Sequence, residues 1–335
     1  MTMLEVKNLK RTFTTKDNMF GRREVKAVRD VSFTIPDGGV ISFIGESGCG
    51  KTTIGRIVAG LETPTDGTVL LDGIDIHRAN PKERRELMRQ IQLIQQDPYQ
   101  ALNPAHTIEE ALAQPLRLMA KRKAGVSNAW IQDRMAEVLS LVGLDPAAIL
   151  YKYPHMLSGG QRQRVVIARA LTVEPKVLVA DEAVSMIDVS LRLGVLHLLR
   201  NLREKLNISV LFITHDVAAS RYLGRDGKVF VIYKGMIVEE GATDTVINGP
   251  THPYTQALLS AVPVLKGLEV PGSQRFYVEK ELSQDGLSEE GCLFASRCPF
   301  ATAECRRQLP PLAGDSHKSA CLYPYERQVT ARMLD

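Results

Sequence analysis

Residues Gly45 to Thr52 read GESGCGKT and fit the phosphate-loop pattern G-x-x-x-x-G-K-[ST]. Glycine at Gly45, Gly48 and Gly50 lets the loop Gly45-Glu46-Ser47-Gly48-Cys49-Gly50 turn its backbone N–H groups around a β-phosphate without Cβ clashes. Lys51 supplies charge for the β- and γ-phosphates, and Thr52 offers a hydroxyl to Mg²⁺. A helix from about Thr53 adds the positive end of its dipole. Cys49 reads as a small residue without chemistry of its own rather than as a thiol activated by that helix end.

The run KVLVADE, Lys176 to Glu182, is an apolar strand ending in two acids. A carboxylate there can reach Mg²⁺, and its neighbour can deprotonate an attacking water. Asp181 takes the metal role and Glu182 that of general base. His215 ends another apolar run, LFITH, and belongs near a γ-phosphate if both strands share one sheet edge. Gln96 in LIQQDP can complete the Mg²⁺ and water contacts, with Gln95 as the alternative.

A second glycine loop, LSGGQ, lies about a hundred residues after the first. Ser158, Gly159 and Gly160 precede QRQRVVIARAL, whose helical pattern starts at about Gln161. A hydroxyl, free N–H groups and a positive helix end make another anion grip. One chain has one phosphate loop to fill, so Ser158–Gln161 is expected to serve the nucleotide of a second subunit. Two chains packed head to tail would then enclose two ATP molecules.

These groups need a scaffold that brings strand ends together. MLEVKNLKRTF alternates as a strand, and Val40–Ile44 is a buried strand leading into the first loop. TPTDGTVLLDGIDI reads as a turn and hairpin, and a helix opens at Pro81. About 107–143 is mostly helical, SLRLGVLHLLRNLREKL is an amphipathic helix, and ISVLFITHD is a strand. Strands alternating with helices imply an α/β fold with a largely parallel sheet. Pro, Gly and charge rise near residue 262, which marks a boundary.

The chain has 335 residues, 44% of them hydrophobic, enough for one large domain and an appendix. No apolar run approaches ~20 residues, and the N-terminus lacks an apolar signal segment. A cytosolic chain, free to dock on a membrane protein, is expected. The net charge of +4 says little about partners, and Lys121-Arg122-Lys123 reads as a solvated loop. Cys292, Cys298, Cys305 and Cys321 are separated by five, six and fifteen residues, which is not a common zinc-finger spacing. Four thiolates can hold Zn²⁺ or an iron–sulfur cluster, or remain free or paired.

GESGCGKT, Gln96, LSGGQ, VLVADE and THD, in this order, resemble the ATP-binding cassette (ABC) ATPases, a P-loop NTPase fold. The resemblance implies a mostly parallel sheet with an antiparallel β part and a helical subdomain at about 97–165. It places the nucleotide-binding domain at 3–256 and a C-terminal extension at 257–335. It gives Phe13 the place of the residue stacked on adenine and Asp188 that of the acid in a loop signalling across the dimer. QQDPYQALNP, YPHMLSGGQRQRVVIARAL, THPYTQALLSAVP and the cysteine tail resemble the ATPases of oligopeptide and dipeptide importers. That implies ATP hydrolysis at the cytoplasmic face, a second ATPase subunit (self or paralogue), two permeases and an external solute-binding protein. It also favours a 4Fe–4S cluster in the tail. A soluble cassette acting on nucleic acid or ribosomes is the alternative. It is disfavoured by a single cassette and no sustained heptads. A small-molecule kinase leaves LSGGQ without a use. Two departures stand out: Ala183 where the family has proline, and Met186-Ile187 where it has Ala-Leu.

Overall fold

The structure is a computed structural model that describes residues 2–17, 21–120, 127–262 and 290–325. The Lys121-Arg122-Lys123 cluster and residues 263–289 lie outside the described residues.

The strands are β1 (Thr2–Asp17), β2 (Gly21–Pro36), β3 (Val40–Ile44), β4 (Asp66–Leu71), β5 (Ile74–Asp75), β6 (Ile91–Ile94), β7 (Val177–Asp181), β8 (Ser209–Ile213), β9 (Lys228–Tyr233), β10 (Met236–Ala242) and β11 (Lys318–Ser319). The helices are α1 (Lys51–Val58), α2 (Pro81–Gln90), α3 (Pro98–Ala101), α4 (Ile108–Ala120), α5 (Asn128–Leu141), α6 (Pro146–Ile149), α7 (Gly159–Leu171), α8 (Val189–Leu206), α9 (Val217–Gly224), α10 (Thr243–Asn248) and α11 (Pro253–Ser260).

Two sheets form. One has the order β2-β1-β4-β5 and is antiparallel throughout. The other has the order β11-β10-β9-β3-β8-β7-β6. Its strands β9, β3, β8, β7 and β6 run parallel; at one edge β10 is antiparallel to β9, and β11 is antiparallel to β10. β3, β7 and β8 are buried at every position. Near-continuous apolar runs of this kind belong to strands covered on both faces.

One face packs the helices. Leu112, Val138 and Val166 share a core with Leu178, Val210 and Phe212 of the sheet. The other face carries α1 and the antiparallel sheet, where Ile54 and Ile57 meet Phe33, Phe43 and Leu211. α2 opens at Pro81 behind an Asn80 cap that accepts from Lys82 and Glu83 N–H, as its sequence predicts.

The tail is part of the same body. β11 pairs with β10, and Phe294 is buried among Val229, Val231 and Tyr254. The expected boundary between residues 256 and 257 falls inside α11. Apolar packing and a strand pairing thus join the extension to the cassette. Among the described residues no helix is long and apolar enough to cross a membrane.

Candidate functional site

The C-terminal ends of four neighbouring parallel strands carry the site. β3 runs into the glycine loop, β6 into Gln96, β7 into Glu182 and β8 into His215. In an open parallel sheet this edge is where ligands bind.

The loop is shaped by contacts that exclude side chains. Gly50 has φ 104, and a Cβ there would stand 2.3 Å from the Ala27 carbonyl oxygen. Gly45 would meet the Ile232 carbonyl oxygen at the same 2.3 Å. α1 starts at Lys51, two residues before the expected Thr53, so Lys51, Thr52 and Thr53 form its first turn. Gly50 caps it without a side-chain hydrogen bond. The first-turn N–H groups therefore lack a side-chain acceptor, the arrangement an anion completes.

Lys51 is buried and donates to the carbonyls of Gly45 and Glu46, both at 2.8 Å. Burial pushes the Cys49 thiol pKa up although Lys51 lies beside it. A buried, protonated thiol is a poor nucleophile. Phe13 pairs with Val25 on β2, two residues before Ala27, which touches Gly50. Its ring lies under the Arg11 guanidinium at 4.4 Å.

Thr52 donates to Asp181 at 3.1 Å. Burial raises the Asp181 pKa to about 6, Thr52 opposes the shift, and the neighbouring Glu182 adds to it. A buried carboxylate against a hydroxyl, beside a second carboxylate, fits a divalent cation. Glu182 is the hub. Gln96 donates to one of its oxygens at 3.0 Å, and His215 Nδ1 stands 3.3 Å from the other. Of Gln95 and Gln96, it is Gln96 that reaches Glu182.

Glu182 has φ 47, a left-handed conformation unusual for its type. Its N–H donates to Ile213 O at 2.8 Å, and Ser185 N–H and Oγ return to its carbonyl at 3.0 and 2.9 Å. These bonds hold the conformation with Ala183 in the next position. Of the other departure, Ile187 is buried and Met186 is 57% exposed. Arg192 secures the loop by donating to Ile187 O and Ser185 O. Asp188, exposed, is the residue before α8.

LSGGQ stands apart. α7 begins at Gly159 rather than Gln161, and Ser158 caps it in a reciprocal box with Gln161. The Ser158 hydroxyl accepts from Gln161 N–H at 3.3 Å, and Gln161 Oε1 accepts from Ser158 N–H at 3.1 Å. Ser158 is exposed, and a Cβ on Gly159 would meet open space. Among the described residues no hydrogen bond joins this loop to Gly45–Thr53.

Some participants carried no signal. Tyr254 accepts from the Glu46 N–H at 2.8 Å, a contact across 208 residues that no local pattern announces. Arg162 is buried, stacks on Tyr99 at 3.7 Å and donates to Pro154 O. The basic pair Arg162 and Arg164 thus turns inward, with Arg164 on Val142 O.

All four tail cysteines line one cavity of about 230 Å³. Burial raises the Cys298 pKa to about 11, and the other three thiols add to the shift. Burial also raises those of Cys292 and Cys321. Among the described residues no group of three or more His, Cys, Asp or Glu is arranged to hold a metal ion.

Residues 28–185 match the ABC transporter family, and 238–305 match the oligopeptide/dipeptide transporter C-terminal region. The chain is 38% identical over 325 residues to the oligopeptide transport ATP-binding protein AppF of Bacillus subtilis, covering 96% of this chain and 97% of that one. It is 38% identical over 322 residues to the di/tripeptide transport ATP-binding protein DppF of Pseudomonas aeruginosa, covering 96% and 97%. The chain belongs to the ATP-binding proteins of oligopeptide/dipeptide ABC transporters. Among solved structures, the dimeric bacterial ABC transporter cassette MJ0796 superposes with a TM-score of 0.63 at 29% identity. The match covers 72% of this chain and 99% of that one. The ABC ATPase fold expected from the motifs is the fold found. This ABC cassette is an ATP-hydrolysing subunit of a membrane transporter, and the nucleic-acid alternative finds no support.

Proposed function

We propose that the chain hydrolyses ATP as one half of a head-to-tail pair of cassettes. Closure of the pair drives import of peptides or related small solutes through two permease subunits, fed by an extracytoplasmic solute-binding protein. The ATPase sits on the cytoplasmic face as a peripheral subunit. One observation carries this reading: exposed Ser158 caps the start of α7 in a box with Gln161, and among the described residues Ser158–Gln161 makes no hydrogen bond to the chain's own phosphate loop. Such a half-site gains a role when a second subunit brings its nucleotide to it.

In this mechanism Gly45–Gly50 and Thr53 cradle the phosphates, Lys51 neutralises them, and Phe13 stacks on adenine. Thr52, Asp181 and Gln96 would hold Mg²⁺, which would supply charge neutralisation on the phosphate oxygens. Glu182 takes the proton of the attacking water. Gln96 and His215 fix its carboxylate from either side. Ser158, Gly159, Gly160, Gln161 and Asp188 act on the partner's nucleotide. The partner is a second copy or a paralogue, since both half-sites keep their residues.

The tail cysteines complete the reading as ligands of a structural 4Fe–4S cluster. A cluster spaces its thiolates more widely than one ion does. It suits a cavity that all four cysteines line. Anaerobically prepared protein should contain about four iron and four sulfide per chain; iron-free protein with unchanged stability would rule this out.

Turnover measured against protein concentration tests the pair. The rate per chain should rise with concentration, and Ser158→Glu should abolish it. Full turnover by a monomer, indifferent to Ser158→Glu, would overturn the proposal.

A further inference from the structure

The cysteine tail reaches the phosphate loop through one side chain. Arg297, next to Cys298, donates from both terminal nitrogens to the two oxygens of Glu46, each at 2.9 Å. This is a two-pronged guanidinium–carboxylate pair, the geometry that gives such pairs strength and direction. Arg297 is well covered, at 13% side-chain exposure, while Glu46 is 46% exposed. The guanidinium lies 5.7 Å from the Phe294 ring centroid and 5.9 Å from that of Tyr233. Phe294 in turn packs edge-on against Tyr233 and Tyr254. The arginine is thus aimed by a packed aromatic cluster.

Glu46 is the residue after Gly45 in the phosphate loop. Its N–H is held by Tyr254 and its carbonyl by Lys51. Its carboxylate is an anion built into a loop that must receive a polyanion. Left bare, it would repel the incoming phosphates and compete for Lys51. Nothing in the motif requires an acid at that place, because the loop works through backbone N–H groups.

We propose that Arg297 of the cysteine tail is a positioning residue for ATP: it neutralises Glu46 and pins the phosphate loop in its receptive form. The tail is then part of the nucleotide site, acting through Glu46 and not by touching the phosphates. A chain whose tail undocks presents an uncompensated negative charge beside its own ATP.

The inference rests on Gly45–Thr53 being the nucleotide site, and the test separates the two. Full-length protein is titrated with a fluorescent, non-hydrolysable ATP analogue and Mg²⁺ at low salt. Lys51→Ala should abolish binding; if it does not, the site assignment fails and not the role of Arg297. Arg297→Ala should weaken binding about fivefold, the scale of a partly exposed charge pair. Arg297→Lys, which keeps the charge and loses the fork, should lose less. The deciding variant is Arg297→Ala with Glu46→Gln. Removing the anion should restore affinity to within about twofold of the original, although the tail has still lost its arginine. A role confined to holding the tail in place predicts no such recovery. Unchanged affinity in Arg297→Ala, or a double variant as weak as the single, would overturn the proposal. Should Arg297→Ala fail to fold, Arg297→Lys and Glu46→Gln measured across salt concentrations carry the test. The Lys variant should show a loss that grows as salt falls, and an equal loss at all salts would count against it.

Discussion

The nucleotide edge and the cysteine tail solve the same problem in opposite ways. At the edge, Gln96, Glu182, His215 and the phosphate loop each follow a strand of one parallel sheet. The sheet fixes where they meet, and their own side chains do little to hold it up. In the tail, the described residues form only the two-residue strand β11 and one short 3₁₀ turn at Glu304–Arg306. Its cysteines meet because Phe294 and its neighbours pack. A site mounted on rigid elements can lose a functional group and keep its shape. A site that is its own scaffold loses both together.

The sharpest way to expose this difference is to remove one functional group from the edge. Glu182→Gln keeps size and hydrogen bonding and deletes the base. ATP turnover should fall about 10³-fold, the range for losing a general base. The unfolding midpoint should stay where it was, since Glu182 is set by backbone bonds to Ile213 and Ser185. A drop in stability to match the drop in rate would erase the distinction between the two regions.

The converse experiment removes one packing group from the tail. Phe294 is 1% exposed and contacts Tyr233, Tyr254 and His252. Phe294→Ala should cost about 3–4 kcal/mol, the usual penalty for truncating a buried phenylalanine. Alkylation of Cys292, Cys298, Cys305 and Cys321 should become fast, while the sheet amides of β7 and β8 stay protected from exchange. Thiols as slow as before would mean that the tail is held by something other than this ring.

The same contrast explains what could be read in advance. The edge was legible because each of its parts is a local pattern: a glycine loop, an apolar run ending in acids, a run ending in histidine. Such patterns fix both the element and the residue at its end. Helix starts moved by two residues at Lys51 and Gly159, because residues that look like loop in a sequence, Lys51-Thr52 in one case and Gly159-Gly160 in the other, were taken into a first turn. The Gln95 or Gln96 choice needed the contact to Glu182, which no periodicity supplies. In the tail the four cysteines drew attention by type and by the family resemblance of the segment around them. What could not be read was that β11 would join the main sheet, or that Tyr254 and Arg297 would both reach Glu46. The two contacts to Glu46 join residues more than two hundred positions apart.

Acid should pull the two regions in opposite directions. His252 lines the cysteine cavity, and burial lowers its pKa to about 4, against the opposing pull of Glu239 and the Ala320 carbonyl. A histidine held neutral stabilises fully above its unfolded value of 6.5, and that stabilisation is lost as pH falls toward about 4. The amount is on the order of 3 kcal/mol. Asp181 has its pKa raised to about 6, so its charged form is the unfavourable one. Without Mg²⁺, its contribution to stability improves as pH falls through 6 toward 3.8. Hydrogen exchange at pH 7 and pH 4.5 should therefore show the tail opening while β7 holds. Uniform loosening of both regions would break the comparison.

The smallest effect belongs where the two regions touch. Tyr254 is buried in the aromatic cluster that seats the tail, yet its hydroxyl accepts from the Glu46 N–H of the phosphate loop. Tyr254→Phe keeps the ring, so the packing with Phe294 and Tyr233 survives. It leaves one backbone N–H without its acceptor, a cost of about 1 kcal/mol. That cost falls on the loop and not on the tail. Thiol alkylation should be unchanged, while affinity for the ATP analogue weakens about threefold to fivefold as the loop loses one of its fixed points. A variant that exposes the thiols and binds ATP normally would place Tyr254 wholly in the tail, and the seam between scaffolded site and self-made site would have to be drawn on the other side of it.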